Sequence, residues 1–287
     1  MSAIKTPPVE PPEKPDMLID TSKMSAGQRA ALELTEAARE SDQEKTFVSG
    51  LFMGEFNLRK VFPFPVQDAA ERARGDGFLK QLETLLREKV DADEIDRTGE
   101  IPQPVLDELA TLGVFGIKVP VEFGGLGLSQ TNYCRAAMLL GSWCGNTTAL
   151  ISAHQSIGVP QPLILFGTEE QEKKYLPRVA RGEISAFALT EVDVGSDPSA
   201  MKTRAEPSPD GTFFTLTGEK LWCTNGVEAG VIVVMARTPA PAGKTRGGIT
   251  AFIVDMDTPG IEVTHRCRFM GLNGIQNALL EFKDVKV

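Results

Sequence analysis

Histidine is nearly absent from this sequence. The two it holds, His154 and His265, lie too far apart for a local metal pair, so no metal is expected. Its four cysteines, Cys134, Cys144, Cys223 and Cys267, contain no Cys-x-x-Cys and no zinc spacing. They read as reduced core residues rather than disulfides. Positive charge is short too: 30 Lys and Arg face 39 Asp and Glu, a formal net charge of −9. With no basic cluster to meet phosphates, the chain is not expected to bind nucleic acid. A small anionic ligand is not excluded, because local dipoles and a few cations override the global sign. No run of about 18 apolar residues occurs, so no transmembrane span is expected. The N-terminus lacks the apolar core of a secretory signal. Glu10, Glu13 and Asp16 among its lysines argue against an Arg-rich, acid-poor transit peptide. The expected location is cytoplasmic, ahead of the mitochondrial matrix.

What remains is an ordinary globular composition, 41% apolar and 24% charged over 287 residues. That length allows one or two domains and a sizeable core. Residues 1–20, rich in proline and charge, read as disordered, and 25–40 allow a weak helix, so 1–46 is taken as an N-terminal extension. The aromatic-rich stretch Phe47–Pro65 is too apolar to stay in water and is read with the helical domain that follows, 47–183. Phe78, Leu79, Leu82, Leu85, Leu86 and Val90 recur at helical spacing. Pro104 suits a first turn, Gly113 a C′ position, and Thr168-Glu169-Glu170-Gln171 a capping box.

From about 184 the period changes. Runs at 212–217, 231–235, 249–254 and 278–282 are of β type, separated by Pro209-Asp210-Gly211, Gly247-Gly248 and Pro259-Gly260. Short consecutive strands without intervening helices predict a small antiparallel β-barrel or sandwich over 184–287. The fold class expected is therefore α+β, a helical domain followed by a β-domain.

Three segments could carry chemistry. Phe123-Gly124-Gly125-Leu126-Gly127-Leu128-Ser129 invites a dinucleotide-loop reading, but the pattern from Gly125 needs glycine where Gln130 stands. It reads instead as a tight turn feeding a helix capped at Ser129. Val194-Gly195-Ser196-Asp197 can turn backbone N–H groups and a hydroxyl toward a phosphate, or be a plain surface turn. Trp222 lies in a β-run with Thr224 two residues on, and strict alternation would put both on one face. An indole beside a hydroxyl can floor a heteroaromatic ring, or be a core tryptophan with an edge threonine.

Taken together, Leu189-Thr190-Glu191 with Gly195-Ser196-Asp197, followed by Gly218-x-Lys220-x-Trp222-x-Thr224-Asn225-Gly226, resembles the acyl-CoA dehydrogenase family. Ala153-His154-Gln155-Ser156-Ile157-Gly158 and Phe166 through Pro177 resemble its helical segments. Gly50-Leu51-Phe52 and Val61-Phe62-Pro63-Phe64-Pro65 are similar to its very-long-chain branch. The resemblance spans roughly 47–287 and implies FAD, wedged between the β-domain and a C-terminal helical bundle. By resemblance, Phe187, Leu189 and Thr190 line the flavin's pyrimidine side. Gly195 and Ser196 sit near the ribityl-diphosphate or the CoA moiety, with Ser196 also a substrate contact. Trp222 covers one flavin face, and Thr224 bonds near N5. Glu191-Val192-Asp193-Val194-Gly195 departs from the family, which usually has proline after the glutamate, and Asp193 adds a negative charge near a phosphate site.

The resemblance also implies a long-chain acyl-CoA substrate, electron-transfer flavoprotein as acceptor, and a homo-oligomer in the full-length form. The catalytic base is expected in the C-terminal bundle, which is absent from this chain, so no residue here is assigned as the base and Glu191 is read as structural. The chain is expected to be a truncated dehydrogenase, inactive alone. Two alternatives stand beside it: a non-catalytic flavin-fold partner or assembly module that binds another protein through the face left by the bundle, and a bundle supplied as a separate chain.

Overall fold

The computed structural model describes residues 46–64, 66–240 and 247–287. The extension expected over residues 1–20 and the weak helix over 25–40 lie outside the described residues. The described residues fall into two compact units, divided between Val66 and Gln67.

In the first unit, helix α1 (Phe47–Phe52) starts at Thr46, whose hydroxyl accepts from Ser49 N at 3.2 Å. Phe47 meets Phe56 edge to face with ring centroids 5.8 Å apart.

The second unit begins with helices. Helix α2 (Ala69–Lys89) is capped by Asp68, whose carboxylate accepts from Ala70 N and Glu71 N. Its Phe78, Leu82 and Leu86 recur every fourth residue and are buried together. Helices α3 (Ala92–Thr98) and α4 (Gln103–Thr111) follow. Pro104 lies in the first turn of α4, and Gly113 beyond its end takes φ 83°, as the sequence predicts. Ser129 caps α5 (Gln130–Trp143), so the glycine-rich segment before it is a turn. A Cβ on Gly125 would lie 2.1 Å from the Val119 carbonyl oxygen, so close backbone approach explains that glycine. Helix α6 (Gly145–Ser152) runs into a π-turn (Ala153–Ile157), then α7 (Pro160–Phe166) and α8 (Glu169–Ala180). The capping box of Thr168 and Gln171 opens α8 in full.

The π-turn points His154 inward. Its Nδ1 accepts from Ser185 N at 3.0 Å, so the proton sits on Nε2, which meets the Phe115 carbonyl at 3.0 Å. Burial is the main cause that lowers this imidazole to about 4, against the opposing pull of its carbonyl partners.

Among the described residues seven strands follow: β1 (Ser185–Ala188), β2 (Arg204–Pro207), β3 (Phe214–Cys223), β4 (Val231–Thr238), β5 (Gly248–Asp255), β6 (Ile261–Cys267) and β7 (Asn277–Lys286). They form one curled sheet in the order β1-β4-β2-β3-β7-β6, with β5 on β4. The expectation of a purely antiparallel sheet needs correcting, because the sheet is mixed. Pairs β2–β3, β3–β7, β4–β5 and β6–β7 are antiparallel, whereas β1–β4 and β2–β4 are parallel. The β2–β3 hairpin reverses the chain, and the turn after β3 reverses it again. Strand β4 therefore returns alongside β1 in the same direction, with the hairpin as crossover.

Strand β4 explains how helices and sheet join. Its Val231 and Val233 face Val119, Leu163, Leu176 and Val179 of the helical side. Its Ile232, Val234 and Ala236 face the interior of the curled sheet with Leu216, Leu280 and Phe282. Burial on both faces is why this strand reads as an unbroken apolar run.

Candidate functional site

Strand β1 ends at Ala188, and the chain continues along β3. Leu221 N donates to the Thr190 carbonyl at 2.8 Å, and Cys223 Sγ lies 3.5 Å from the Phe187 carbonyl. Segment 187–190 thus runs beside 221–223.

A buried ion pair fixes this arrangement. Lys220 Nζ lies 2.9 Å from Glu191 Oε1 and 3.0 Å from the Leu189 carbonyl, with side-chain exposures of 1% for Lys220 and 4% for Glu191. Glu191 also accepts from Lys202 N at 2.6 Å and Thr203 N at 2.9 Å. Burial would raise its carboxyl, but the Lys220 ammonium and these donors win and hold it at about 2. Burial pushes the Lys220 ammonium down while Glu191 pulls it back. Each group supplies solvation that burial takes from the other.

A second device aims Trp222. Lys220 pairs with Leu280 and Cys223 with Ala278, so three steps on β3 match two on β7. The extra residue is a β-bulge, and Trp222 adopts φ 58° within it. Regular alternation therefore does not run through this stretch. The bulge turns the indole outward, 51% exposed, against the ring of Phe269 at 5.4 Å and 37°. The two rings form an apolar ledge, and Met270, next to Phe269 in sequence, is fully exposed. Thr224, half-buried, lies just past the strand. Asn225, at φ 67°, is buried and donates through Nδ2 to the carbonyls of Leu150 and Ser185, tying this limb to α6 and β1. Burial raises the Cys223 thiol to about 12, so it stays protonated.

Thus Phe187, Leu189, Thr190, Trp222 and Thr224 lie on two adjoining stretches of one wall. Gly195 and Ser196 do not join it. They stand exposed past a tight turn closed by Glu191 N to Val194 O and Val194 N to Glu191 O. No hydrogen bond links them to residues 221–225 among the described residues. The Asp193 charge is met by Lys202 Nζ at 2.6 Å. Gly195 has open space where a Cβ would be, so packing does not require it. A cleft of about 350 Å³ opens beside Glu191, lined by Asp193, Lys202, Arg204, Glu219 and Lys283 among others. Mixed charge lines it, which suits a flat apolar ring less well than the ledge does.

Lys220 and Asn225 stand in the sequence motif without a role assigned to them, and Phe269 lies outside it. Lysine inside a β-run was a signal that a buried counter-charge waits elsewhere. Phe269 carried no signal, because its meeting with Trp222 depends on the bulge.

A helical layer packed on a curled mixed sheet defines a helical-plus-β module. Residues 76–183 match the acyl-CoA dehydrogenase N-terminal domain, and 186–285 the acyl-CoA dehydrogenase middle domain. The probable acyl-CoA dehydrogenase FadE10 of Mycobacterium tuberculosis is 49% identical over 255 residues, 88% of this chain. The mitochondrial very long-chain specific acyl-CoA dehydrogenase of Mus musculus is 38% identical over 85% of this chain. The chain spans 39% and 38% of the lengths of these two curated relatives. Butyryl-CoA dehydrogenase from Megasphaera elsdenii superposes with a TM-score of 0.67 at 32% identity, over 79% of this chain and 58% of its own. An acyl-CoA dehydrogenase from Bacillus anthracis complexed with FAD superposes at 0.61 with 32% identity, over 77% of this chain and 36% of its own. The chain belongs to the acyl-CoA dehydrogenase family, a family of oxidoreductases.

Proposed function

We propose that segments 187–190 and 221–224 form one wall of an FAD site in a flavin-dependent acyl-CoA dehydrogenase, in which 47–183 is the helical part and 184–287 the β-domain. In this reading Phe187, Leu189 and Thr190 border the pyrimidine side of the ring, and Trp222 covers one face. Thr224 offers its hydroxyl near N5, and Gly195 and Ser196 lie toward the ribityl-diphosphate or the CoA, with Ser196 also touching substrate. FAD, when bound, supplies the acceptor for a hydride from the acyl β-carbon. The residues present fit such a ring: the bulge sets an exposed indole on an apolar ledge, and a half-buried hydroxyl follows it. One observation carries the reading, the Thr190–Leu221 pairing locked by Glu191 and Lys220, which brings the two segments into one wall.

The chain's own part is to bind, orient and keep water from one ring face. It does not supply the α-proton base. Glu191 is held near 2 and accepts from three donors, leaving it too weak and too encumbered to abstract a proton. The base belongs to the C-terminal bundle of the full-length enzyme. The substrate is a long-chain acyl-CoA, electron-transfer flavoprotein takes the electrons, and the full-length form is a homo-oligomer.

Titration of FAD into the purified chain tests this. Saturable quenching of tryptophan emission is expected, weakened by Thr224→Ala. Acyl-CoA is expected to reduce no dye with this chain alone. Absence of saturable quenching, or dye turnover by the chain, overturns the reading.

A further inference from the structure

The Trp222 indole is half-exposed and sits on a bulge with a single free rotor pair, so its backbone alone does not hold its plane. Phe269 packs against it. The two ring centroids are 5.4 Å apart with planes tilted by 37°, within the range where aromatic pairs attract beyond the area they bury. Phe269 lies two residues past the end of β6, and Cys267 pairs with Asn277 next to the Ala278 that faces Cys223. Phe269 is therefore anchored through β6 and β7 to the same bulge that carries Trp222, and its own ring is 39% exposed. It belongs to none of the buried clusters among the described residues.

We propose that Phe269 is a positioning residue that fixes the plane of the Trp222 indole, so that the ring is set before any flat ligand stacks on it. The relevance to flavin rests on the proposed function; the bracing itself does not. Pre-orientation matters because a side chain free to rotate must lose that freedom when a ligand binds.

The chain has two tryptophans, Trp143 and Trp222, so a Trp143→Phe background leaves Trp222 as sole reporter. In that background Phe269→Leu is expected to lower Trp222 emission anisotropy and raise its acrylamide quenching constant about twofold, while the urea midpoint holds. Phe269→Tyr is expected to restore both, since it returns the ring. FAD titration should then show affinity on the order of three- to tenfold weaker for Phe269→Leu than for its parent, the scale set by aromatic pair energies. Unchanged anisotropy and quenching in Phe269→Leu overturn the proposal. So does a Phe269→Tyr variant that behaves like the leucine. If FAD fails to quench Trp222 in the parent while Phe269→Leu still frees the indole, the flavin reading falls and the bracing stands.

Discussion

Replacing Lys220 with methionine leaves the Glu191 carboxylate buried without its cation. Lys220 Nζ and Glu191 Oε1 are 2.9 Å apart, and neither side chain is more than 4% exposed. At an effective dielectric of about 20 that separation corresponds to about 6 kcal/mol of gross attraction, offset by the cost of taking both charges out of water. Removing one partner leaves that cost uncompensated, and about 3–5 kcal/mol of stability should be lost. Glu191→Gln should also destabilise, because its amide N–H₂ would point a donor at the N–H groups of Lys202 or Thr203. The double variant Glu191→Gln/Lys220→Met removes both charges and should recover a large part of the loss, giving a coupling of at least about 2 kcal/mol. Urea unfolding followed by far-UV circular dichroism measures each corner of the cycle. Acid adds a signed check. The Glu191 carboxyl is depressed to about 2 when folded, so its contribution is full above the unfolded carboxyl range and disappears as pH falls through about 2. Lys220→Met should shift that acid loss to higher pH. A Lys220→Met cost under about 1 kcal/mol, or a coupling near zero, would refute the claim that this pair locks the wall.

Three further outcomes follow from other parts of the molecule. His154 sits near 4 when folded against 6.5 as the ordinary value, so the unfolded chain binds the proton first as pH falls. Stability should drop between pH 6.5 and 4 by up to about 3 kcal/mol, and His154→Gln should flatten that part of the stability–pH curve, read by urea midpoints. Gly125→Ala would drive a methyl to 2.1 Å from the Val119 carbonyl oxygen and should cost about 2–3 kcal/mol, seen as a lower thermal midpoint. Asn225→Ala loses two buried hydrogen bonds and a residue tolerant of positive φ, for about 2 kcal/mol, whereas Asn225→Gly should recover the backbone share, measured by the same unfolding.

Local signals were read well where the chemistry is local. The Thr168–Gln171 capping box, the Ser129 cap and the Gly113 turn occur where side chains and backbone dictate them within four residues. The β-runs at 231–235, 249–254 and 278–282 became β4, β5 and β7. Strands β2 and β6 escaped notice, because Arg204-Ala205-Glu206-Pro207 and the exposed Glu262–His265 stretch lack an apolar period. The run expected at 212–217 and the β-run holding Trp222 proved to be parts of a single strand that starts at Phe214. It passes through Gly218 at φ 150°, where a Cβ would strike Thr203, and a register shift lies between Leu216 and Gly218.

The sequence by itself determined the helical-then-β order and the caps and turns, because each rests on periodicity or on contacts a few residues long. Only the tertiary structure decided the parallel return of β4 along β1 and the pairing of Thr190 with Leu221. It also decided the burial of Lys220 against Glu191 and the bulge that turns Trp222 onto Phe269. Those depend on residues tens of positions apart meeting in space. Their cost in loop closure is repaid by the packed sheet as a whole, and no local pattern in the chain records it.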